Sequence, residues 1–255
     1  MGNLIRMDIY RMRKAKSFWA CIITAFVFAL GQTPMLKLLA VLGKMLTGDE
    51  IIFPAASLAD IFREPFPLLN AMLVLLSACF FCYADVENGY IKNIAGQMPK
   101  RGFTVLSKFI ALIGHNLAFM LLGVIGNLAG TAIVQRITLE GDILGGLLVF
   151  VEKFLLIQSI CAILVLVTAS FRSKSLGIVL AVLMGMGLLG VLYGAIDAGL
   201  NQLLRLQGFS ISNYMPDQLL NRASPDALTS ILVSVVVTAI FLPLAIRVFD
   251  RRDVK

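Results

Sequence analysis

Residues 146–169 read GLLVFVEKFLLIQSICAILVLVTA, and this stretch decides the fold class. Its only charged side chains are Glu152 and Lys153, which lie near one end. A helix needs about 20 apolar residues to cross the hydrocarbon layer of a membrane, whereas strands of a membrane barrel alternate in polarity over about ten residues. The stretch therefore predicts a membrane-spanning helix.

The same composition extends along most of the chain. Of its 255 residues, 59% are hydrophobic and 15% are charged, whereas a soluble domain is about 45–50% apolar and about 25% charged. A backbone in lipid must satisfy its own hydrogen bonds, as a helix does within one segment. We therefore predict one all-α integral membrane domain over residues 1–255. Six membrane-spanning helices are expected at about 18–40, 66–84, 104–134, 146–169, 175–197 and 227–248.

The net charge of +7 has two interpretations, a nucleic-acid partner or a membrane topology signal. If the N-terminus lies in the cytoplasm, the predicted inner segments hold most of the 22 basic residues. The positive-inside rule then places both chain ends in the cytoplasm, and we expect no nucleic acid as a partner. Cleavage of the first span as a signal peptide would instead leave the basic 86–108 loop outside, against this charge pattern.

Two segments outside the spans are expected to rest on the membrane. Residues 1–17 predict a basic interfacial helix on the inner surface, and a cationic lead-in to the first span is an equal alternative. Residues 198–226 contain a run of leucines followed by polar residues and prolines, which predicts partly helical external structure.

The 86–101 loop between the second and third spans has internal organisation. Ile91, Ile94 and Met98 follow the spacing of one helical face, and Gly89 and Pro99 lie at the ends of this pattern. The pattern predicts a short helix with one apolar face. Such a helix is either a simple connector on the membrane surface or a docking element for another protein.

Motifs that would carry chemistry within this chain are few. There is no phosphate-binding G-x-x-x-x-G-K-[ST] pattern, so we expect no ATP hydrolysis by the chain alone. His115 is the only histidine, which argues against a multi-histidine metal site. His115 and Asn116 fall inside the third span, where interhelical hydrogen bonding is favoured over a role in a cavity. Cys79 and Cys82 have the spacing of thiol oxidoreductases, but they lie in an apolar span and are interpreted as packing residues.

Two glycine pairs have a spacing that lets helices approach closely in lipid. They are Gly126 and Gly130 in the third span, and Gly190 and Gly194 in the fifth.

The segment 85–108 resembles the region after the second span in ABC-2 type permeases, the membrane subunits of ATP-binding cassette exporters. In that family an acidic residue and a glycine precede a short helix, which is followed by proline, arginine and a lysine in the next span. Here Glu87 and Gly89 match the start of the pattern, and Tyr90 replaces the threonine often found after the glycine. Pro99, Arg101 and Lys108 match its end. The resemblance covers the whole chain in its arrangement of segments.

The resemblance implies that the 86–101 loop is a cytoplasmic coupling helix that docks on a soluble ATP-binding cassette ATPase. It implies two ATPase copies, which would hold ATP and Mg²⁺, and no cofactor in this chain. It also implies a second permease copy, expected to be identical, that meets this one along spans two and five in a bacterial plasma membrane. The cargo expected from such permeases is an amphipathic peptide, such as an antimicrobial toxin, or a hydrophobic compound. The candidate ATPase contacts are Glu87, Gly89, Tyr90, Ile91, Lys92, Asn93, Ile94, Met98 and Arg101.

Three other functions stay open at the level of sequence. An intramembrane enzyme would depend on a polar residue such as His115. A secondary transporter would need polar or acidic groups near the middle of the bilayer, whereas the acidic residues here cluster at span ends and in loops. A non-transporting membrane scaffold or immunity protein would need neither.

Overall fold

A computed structural model shows the chain as an all-helical membrane protein, as predicted. It describes residues 2–47, 56–65, 69–87, 89, 102–138, 141–171, 173–204, 210–222 and 226–251. The helices are α1 (Gly2–Lys14), α2 (Lys16–Thr47), α3 (Leu58–Arg63), α4 (Asn70–Glu87), α5 (Gly102–Val134), α6 (Ile143–Phe171), α7 (Lys174–Gly185), α8 (Leu189–Leu204), α9 (Pro216–Leu220) and α10 (Ala227–Arg251), with a 3₁₀ turn at Ile211–Tyr214. Two short strands, β1 (Ala56–Ser57) and β2 (Ile137–Thr138), pair in parallel.

Within the described residues, four helices are long and apolar enough to cross a membrane, namely α2, α5, α6 and α10. They correspond to the first, third, fourth and sixth predicted spans. The second predicted span corresponds to α4, whose apolar part, Asn70–Asp85, is shorter. The helices α7 and α8 pass the test only as a pair, which gives up to five candidate spans where the sequence predicts six.

The predicted fifth span, 175–197, is broken in the structure. The axes of α7 and α8 meet at 77°. The break has the hydrogen bonds of a Schellman motif, because Leu188 N–H donates to Leu183 O and Gly187 N–H donates to Met184 O. Gly187 has φ of 66°, a left-handed conformation that glycine adopts without steric cost. Gln218 in α9 donates to the Gly187 carbonyl at 3.0 Å and so holds the break from outside.

The long helices run alternately between two ends of the bundle. One end, called the α1 end, contains α1, the last turn of α4, the first turn of α5 and the last turn of α10. The other, called the α3 end, contains α3 and the two strands, packed against the start of α6. The first helix and the last described turn therefore share one end. The side of the membrane that this end faces stays a prediction.

The glycine pair in the third span packs against α2 as its spacing predicts. A Cβ atom at Gly126 would lie 2.8 Å from Ala29 Cβ, and one at Gly130 would collide with the Leu30 carbonyl oxygen. The two backbones therefore touch without intervening side chains. At Gly194, in contrast, a Cβ would meet nothing within 4 Å in the described part of the chain.

Candidate functional site beside the 88–101 loop

The structure describes the two ends of the predicted docking loop. Glu87 ends α4, Gly89 follows in a turn, and α5 begins at Gly102. The other predicted contacts lie outside the described residues, so their role stays a prediction; they are Tyr90, Ile91, Lys92, Asn93, Ile94, Met98 and Arg101.

Asp85, in the last turn of α4, joins three helices through charge. Its carboxylate lies 2.6 Å from Arg11 Nη2 in α1 and 2.8 Å from Lys108 Nζ in α5. Lys108 also donates to the carbonyl oxygens of Phe81 and Cys82 near the C-terminal end of α4.

Asp8 adds a second link between α1 and α5. Its carboxylate accepts a hydrogen bond of 2.5 Å from Ser107 Oγ and lies 3.9 Å from Arg11 Nη1. Asp8 is only 1% exposed. Burial raises the pKa of Asp8, and the Asp85 carboxylate adds to the rise, whereas Ser107, Lys108 and Arg11 oppose it. We call Asp8, Arg11, Asp85, Ser107 and Lys108 the basal cluster.

The basal cluster is balanced in formal charge, with two carboxylates against a guanidinium and an ammonium. Its members are buried except Arg11, whose side chain is 25% exposed. Replacing a buried ion pair as a whole is often neutral, but removing one partner costs about 3–5 kcal/mol because the other charge is left uncompensated. The cluster therefore penalises any movement that separates α1, α4 and α5 at this end. It can transmit displacement of the loop without itself performing chemistry.

Glu87 and Gly89 lie just beyond the cluster, on the surface. Lys174 at the start of α7 lies 3.1 Å from Glu87 Oε2, and both side chains are well exposed. An exposed pair of this kind contributes about 0–1 kcal/mol, so it links the end of α4 to the start of α7 only weakly. Gly89 has φ of 62°, where another residue would be strained.

The far end of the loop is anchored by the last helix. Gly102 N–H, at the first turn of α5, donates to Asp250 Oδ1 in α10 at 2.5 Å. A Cβ atom at residue 102 would lie 2.6 Å from Ile246 Cγ2 and 2.8 Å from Asp250 Oδ2. A larger residue here would force the Ile246 and Asp250 side chains to shift. The hydrogen bond from Gly102 satisfies a helix N-terminal N–H that has no partner within its own helix.

The polar residues inside the third span form an interhelical hydrogen-bond chain, as predicted. Asn116 Nδ2 donates to Gln158 Oε1 at 2.8 Å, so Asn116 Oδ1 is free to accept from His115 Nδ1–H at 2.9 Å. His115 Nε2 then accepts from Ser77 Oγ at 2.9 Å. His115 is fully buried and stacks near Phe119, with ring centroids 4.7 Å apart. The arrangement satisfies a neutral histidine and joins α4, α5 and α6.

Other candidate groups are packed rather than assembled into a site. Cys79 and Cys82 form no disulfide and are buried in the hydrophobic core, which agrees with the packing interpretation. Glu152 and Lys153 are buried near the α3 end of α6. Among the residues that the structure describes, no group of three or more His, Cys, Asp and Glu side chains could hold a metal ion.

Sequence reasoning found Lys108 but missed its partners. Asp8 and Asp85 counted there only as minor negative charges on a basic inner surface. One signal was present: Asp8 is the only acidic residue in the basic helix α1, and Asp85 lies at the very end of an apolar segment. An isolated acid among bases indicates pairing, but the pattern does not show which base it meets.

Comparison with known proteins identifies the family of this chain. The family model for ABC-2 family transporter proteins matches residues 4–188. The chain belongs to the ABC-2 transporter family. The matched region begins within α1, ends at the break between α7 and α8, and contains the whole basal cluster of this permease. No curated protein and no solved structure matches the chain.

Membership identifies the protein as a multi-pass membrane subunit of a transporter, which is not itself catalytic. An ATP-binding cassette ATPase and a lipid bilayer are the partners that the family implies. The basal cluster then lies in the helices that lead into and out of the segment predicted to couple with that ATPase.

Proposed function

We propose that this permease is the membrane subunit of an ATP-driven exporter, and that a separate soluble ATPase docks on the 86–101 segment. The observation that supports this most strongly is the basal cluster. Its ion pairs and the Ser107–Asp8 hydrogen bond connect α1, α4 and α5 near the two ends of the segment. A docking segment needs a rigid connection to the helices on either side. Otherwise its displacement would bend the connection instead of moving the helices.

The proposed coupling follows from which helices the cluster joins. ATP-driven closure of two ATPase subunits displaces the segment, and the cluster makes α1, α4 and α5 follow together. Beyond the cluster, α4 packs on α2 and α7, and α5 packs on α2 and α6, so the displacement reaches the rest of the bundle. ATP and Mg²⁺ are held by the ATPase in this scheme.

The proposed complex contains a second, identical permease that meets this one along α4 and the α7–α8 pair. In one chain α4 and α7 lie side by side, and a Cβ at Gly177 would lie 2.6 Å from Cys79 Sγ. The two helices are therefore direct neighbours within one chain. In α8, Val191 is 82% exposed and Gly194 has open space around it, as an interface between copies requires.

The proposed cargo is an amphipathic peptide or a hydrophobic compound, moved out of a bacterial cytoplasm or out of its membrane. Both chain ends would then face the cytoplasm. Inside-out vesicles that contain the complex should take up labelled amphipathic peptides when ATP is added. If neither such peptides nor hydrophobic drugs accumulate with ATP, the exporter proposal fails for these cargo classes.

The docking step is tested by recovering the tagged permease from its native membranes in mild detergent and identifying bound proteins by mass spectrometry. A soluble subunit with an ATP-binding motif should be recovered, and Ile91→Asp or Arg101→Glu should weaken its association. The matched control is Arg222→Glu, an exposed arginine at the opposite end of the bundle. Repeated absence of an ATPase with intact protein would instead favour a secondary transporter or an immunity scaffold.

A further inference from the structure

A second site lies at the α3 end, away from the basal cluster. A cavity of about 390 Å³ lies between α2, α5 and α3, a volume within the usual range of about 300–1,000 Å³ for small-molecule sites. Thr33, which lines it, is about 25 Å along α2 from Lys16 at 1.5 Å per residue. The hydrocarbon layer is about 30 Å thick, and the sequence predicts that Lys16 lies at the opposite membrane boundary. We therefore expect the cavity near the level where lipid tails meet head groups.

The inner wall of this pocket is polar and already ordered. Thr33 Oγ1 lies 3.0 Å from Thr131 Oγ1, and both hydroxyls lie within 3.5 Å of Asn127 Oδ1. Asn127 is 7% exposed and Thr131 2% exposed. Because α2 and α5 touch at Gly130, this wall has little freedom to move. A polar wall held in this way suits a ligand with polar groups.

The rim of the pocket carries charges of both signs from α3 and its end. Asp60 is oriented by Ser57, whose hydroxyl donates to Asp60 Oδ2 at 2.7 Å. Arg63 Nη1 lies 3.3 Å from Asp60 Oδ1, and Glu64 follows as the exposed C-cap of α3. The Arg63 and Asp60 side chains are 39% and 59% exposed. A pair this exposed contributes little, about 0–1 kcal/mol, so Arg63 can exchange Asp60 for a ligand group.

The combination of charge and depth selects the class of ligand. A simple anion would be repelled by the carboxylates of Asp60 and Glu64, and a simple cation would be repelled by the Arg63 guanidinium. A zwitterion can satisfy both, because phosphate suits a guanidinium and a primary ammonium suits carboxylates. Leu36 lines the pocket and is 44% exposed, and Met35 beside it is 58% exposed, so acyl chains can lie against α2.

We propose that this pocket binds the zwitterionic head group of an amine phospholipid of the phosphatidylethanolamine type. Its phosphate pairs with Arg63, and its ammonium lies toward Glu64 and Asp60. The ammonium N–H groups also find acceptors in the Thr33, Asn127 and Thr131 wall. Phosphatidylcholine lacks those N–H donors, and phosphatidylglycerol lacks the positive charge.

The test uses the purified full-length chain in detergent, with no ATPase present. Short-chain phosphatidylethanolamine, phosphatidylcholine and phosphatidylglycerol are titrated separately, and bound lipid is counted by native mass spectrometry. The ethanolamine lipid should bind about tenfold more tightly than the other two, a difference of about 1.4 kcal/mol. Arg63→Gln and Glu64→Gln should each remove most of that preference. Arg222→Gln, at the same end but outside the pocket lining, should leave it unchanged.

Equal binding of the three lipids, or a preference unaffected by either pocket variant, would overturn the proposal. A lysine-rich amphipathic peptide is titrated in parallel. If that peptide binds with the same sensitivity to Glu64→Gln while the ethanolamine lipid does not, the pocket recognises peptide ammonium groups and the lipid proposal is wrong. Thermal unfolding of each variant shows that the fold is intact. Because the assay contains no ATPase, its result is separate from the fate of the exporter proposal.

Discussion

Arg11 in α1 and Asp85 in α4 form an ion pair, with 2.6 Å between Nη2 and Oδ1. Lys108 of α5 contacts the same carboxylate from the other side, so one acidic residue holds three helices together. Two of these helices, α4 and α5, lead into and out of the segment predicted to dock on an ATPase. The Arg11–Asp85 pair therefore stabilises the helix bundle and also takes part in the proposed coupling to the ATPase.

Replacing Asp85 with asparagine should destabilise the permease, because Arg11 and the buried Lys108 keep their charges and Asp8 is then the one carboxylate of the cluster left to balance them. The upper bound is the cost of about 3–5 kcal/mol for removing one partner of a fully buried pair. The measurement is unfolding of the detergent-solubilised protein. The control, Glu87→Gln, breaks an exposed pair with Lys174 and should cost less than about 1 kcal/mol. Equal effects of the two variants would show that burial does not strengthen the cluster.

Gly130→Ala should destabilise the contact between α2 and α5, since its methyl group would meet the Leu30 carbonyl oxygen. Overpacking of this kind costs about 1–3 kcal/mol. Gly114→Ala in the same helix is the matched control, because nothing lies within 4 Å of its added Cβ and alanine favours the helix. The thermal unfolding midpoint of Gly130→Ala should be lower than that of the wild type, and that of Gly114→Ala should be higher. A Gly130→Ala protein as stable as Gly114→Ala would contradict the close approach.

Asp8 should make stability depend on pH. Burial raises its pKa in the folded protein above the ordinary value of 3.8, so the folded state holds the proton more tightly than the unfolded state. This contribution is fully present below pH 3.8 and is lost as the pH rises through the folded-state pKa. Asp8→Asn cannot titrate, so its unfolding free energy should fall less over that window than that of the wild type. Parallel pH profiles for the two proteins would refute this assignment.

The hydrogen bond between Ser77 and His115 should contribute modestly to stability and nothing to chemistry. Interhelical hydrogen bonds in membranes average about 0.6 kcal/mol in double-mutant cycles, and we expect a coupling of that size from Ser77→Ala combined with His115→Phe. ATP-dependent export should survive His115→Phe once the protein is folded. Loss of activity in a stably folded His115→Phe protein would revive the enzyme alternative.

Much of the architecture could be predicted because hydrophobicity and helix formation are local properties. The apolar blocks that correspond to α2, α5, α6 and α10 are long enough to be recognised one at a time. The Gly126 and Gly130 spacing also predicted a close helix contact, since two small residues on one face are enough for it. The coupling contacts from Tyr90 to Arg101 stay predictions that the docking experiment must test.

The sequence by itself determined that this protein is a helical membrane protein, and it carried a recognisable resemblance to ABC-2 permeases. Only the tertiary structure decided that α7 and α8 are separate helices, because the Gly187 turn is held by Gln218 from a later segment. Only the fold brought Asp8, Arg11, Asp85 and Lys108 together, and only the fold placed Arg63 beside the Thr33 wall. The physical reason is that hydrogen-bonding and charge partners distant in the chain leave no periodic pattern, whereas crossing a membrane requires one continuous apolar stretch.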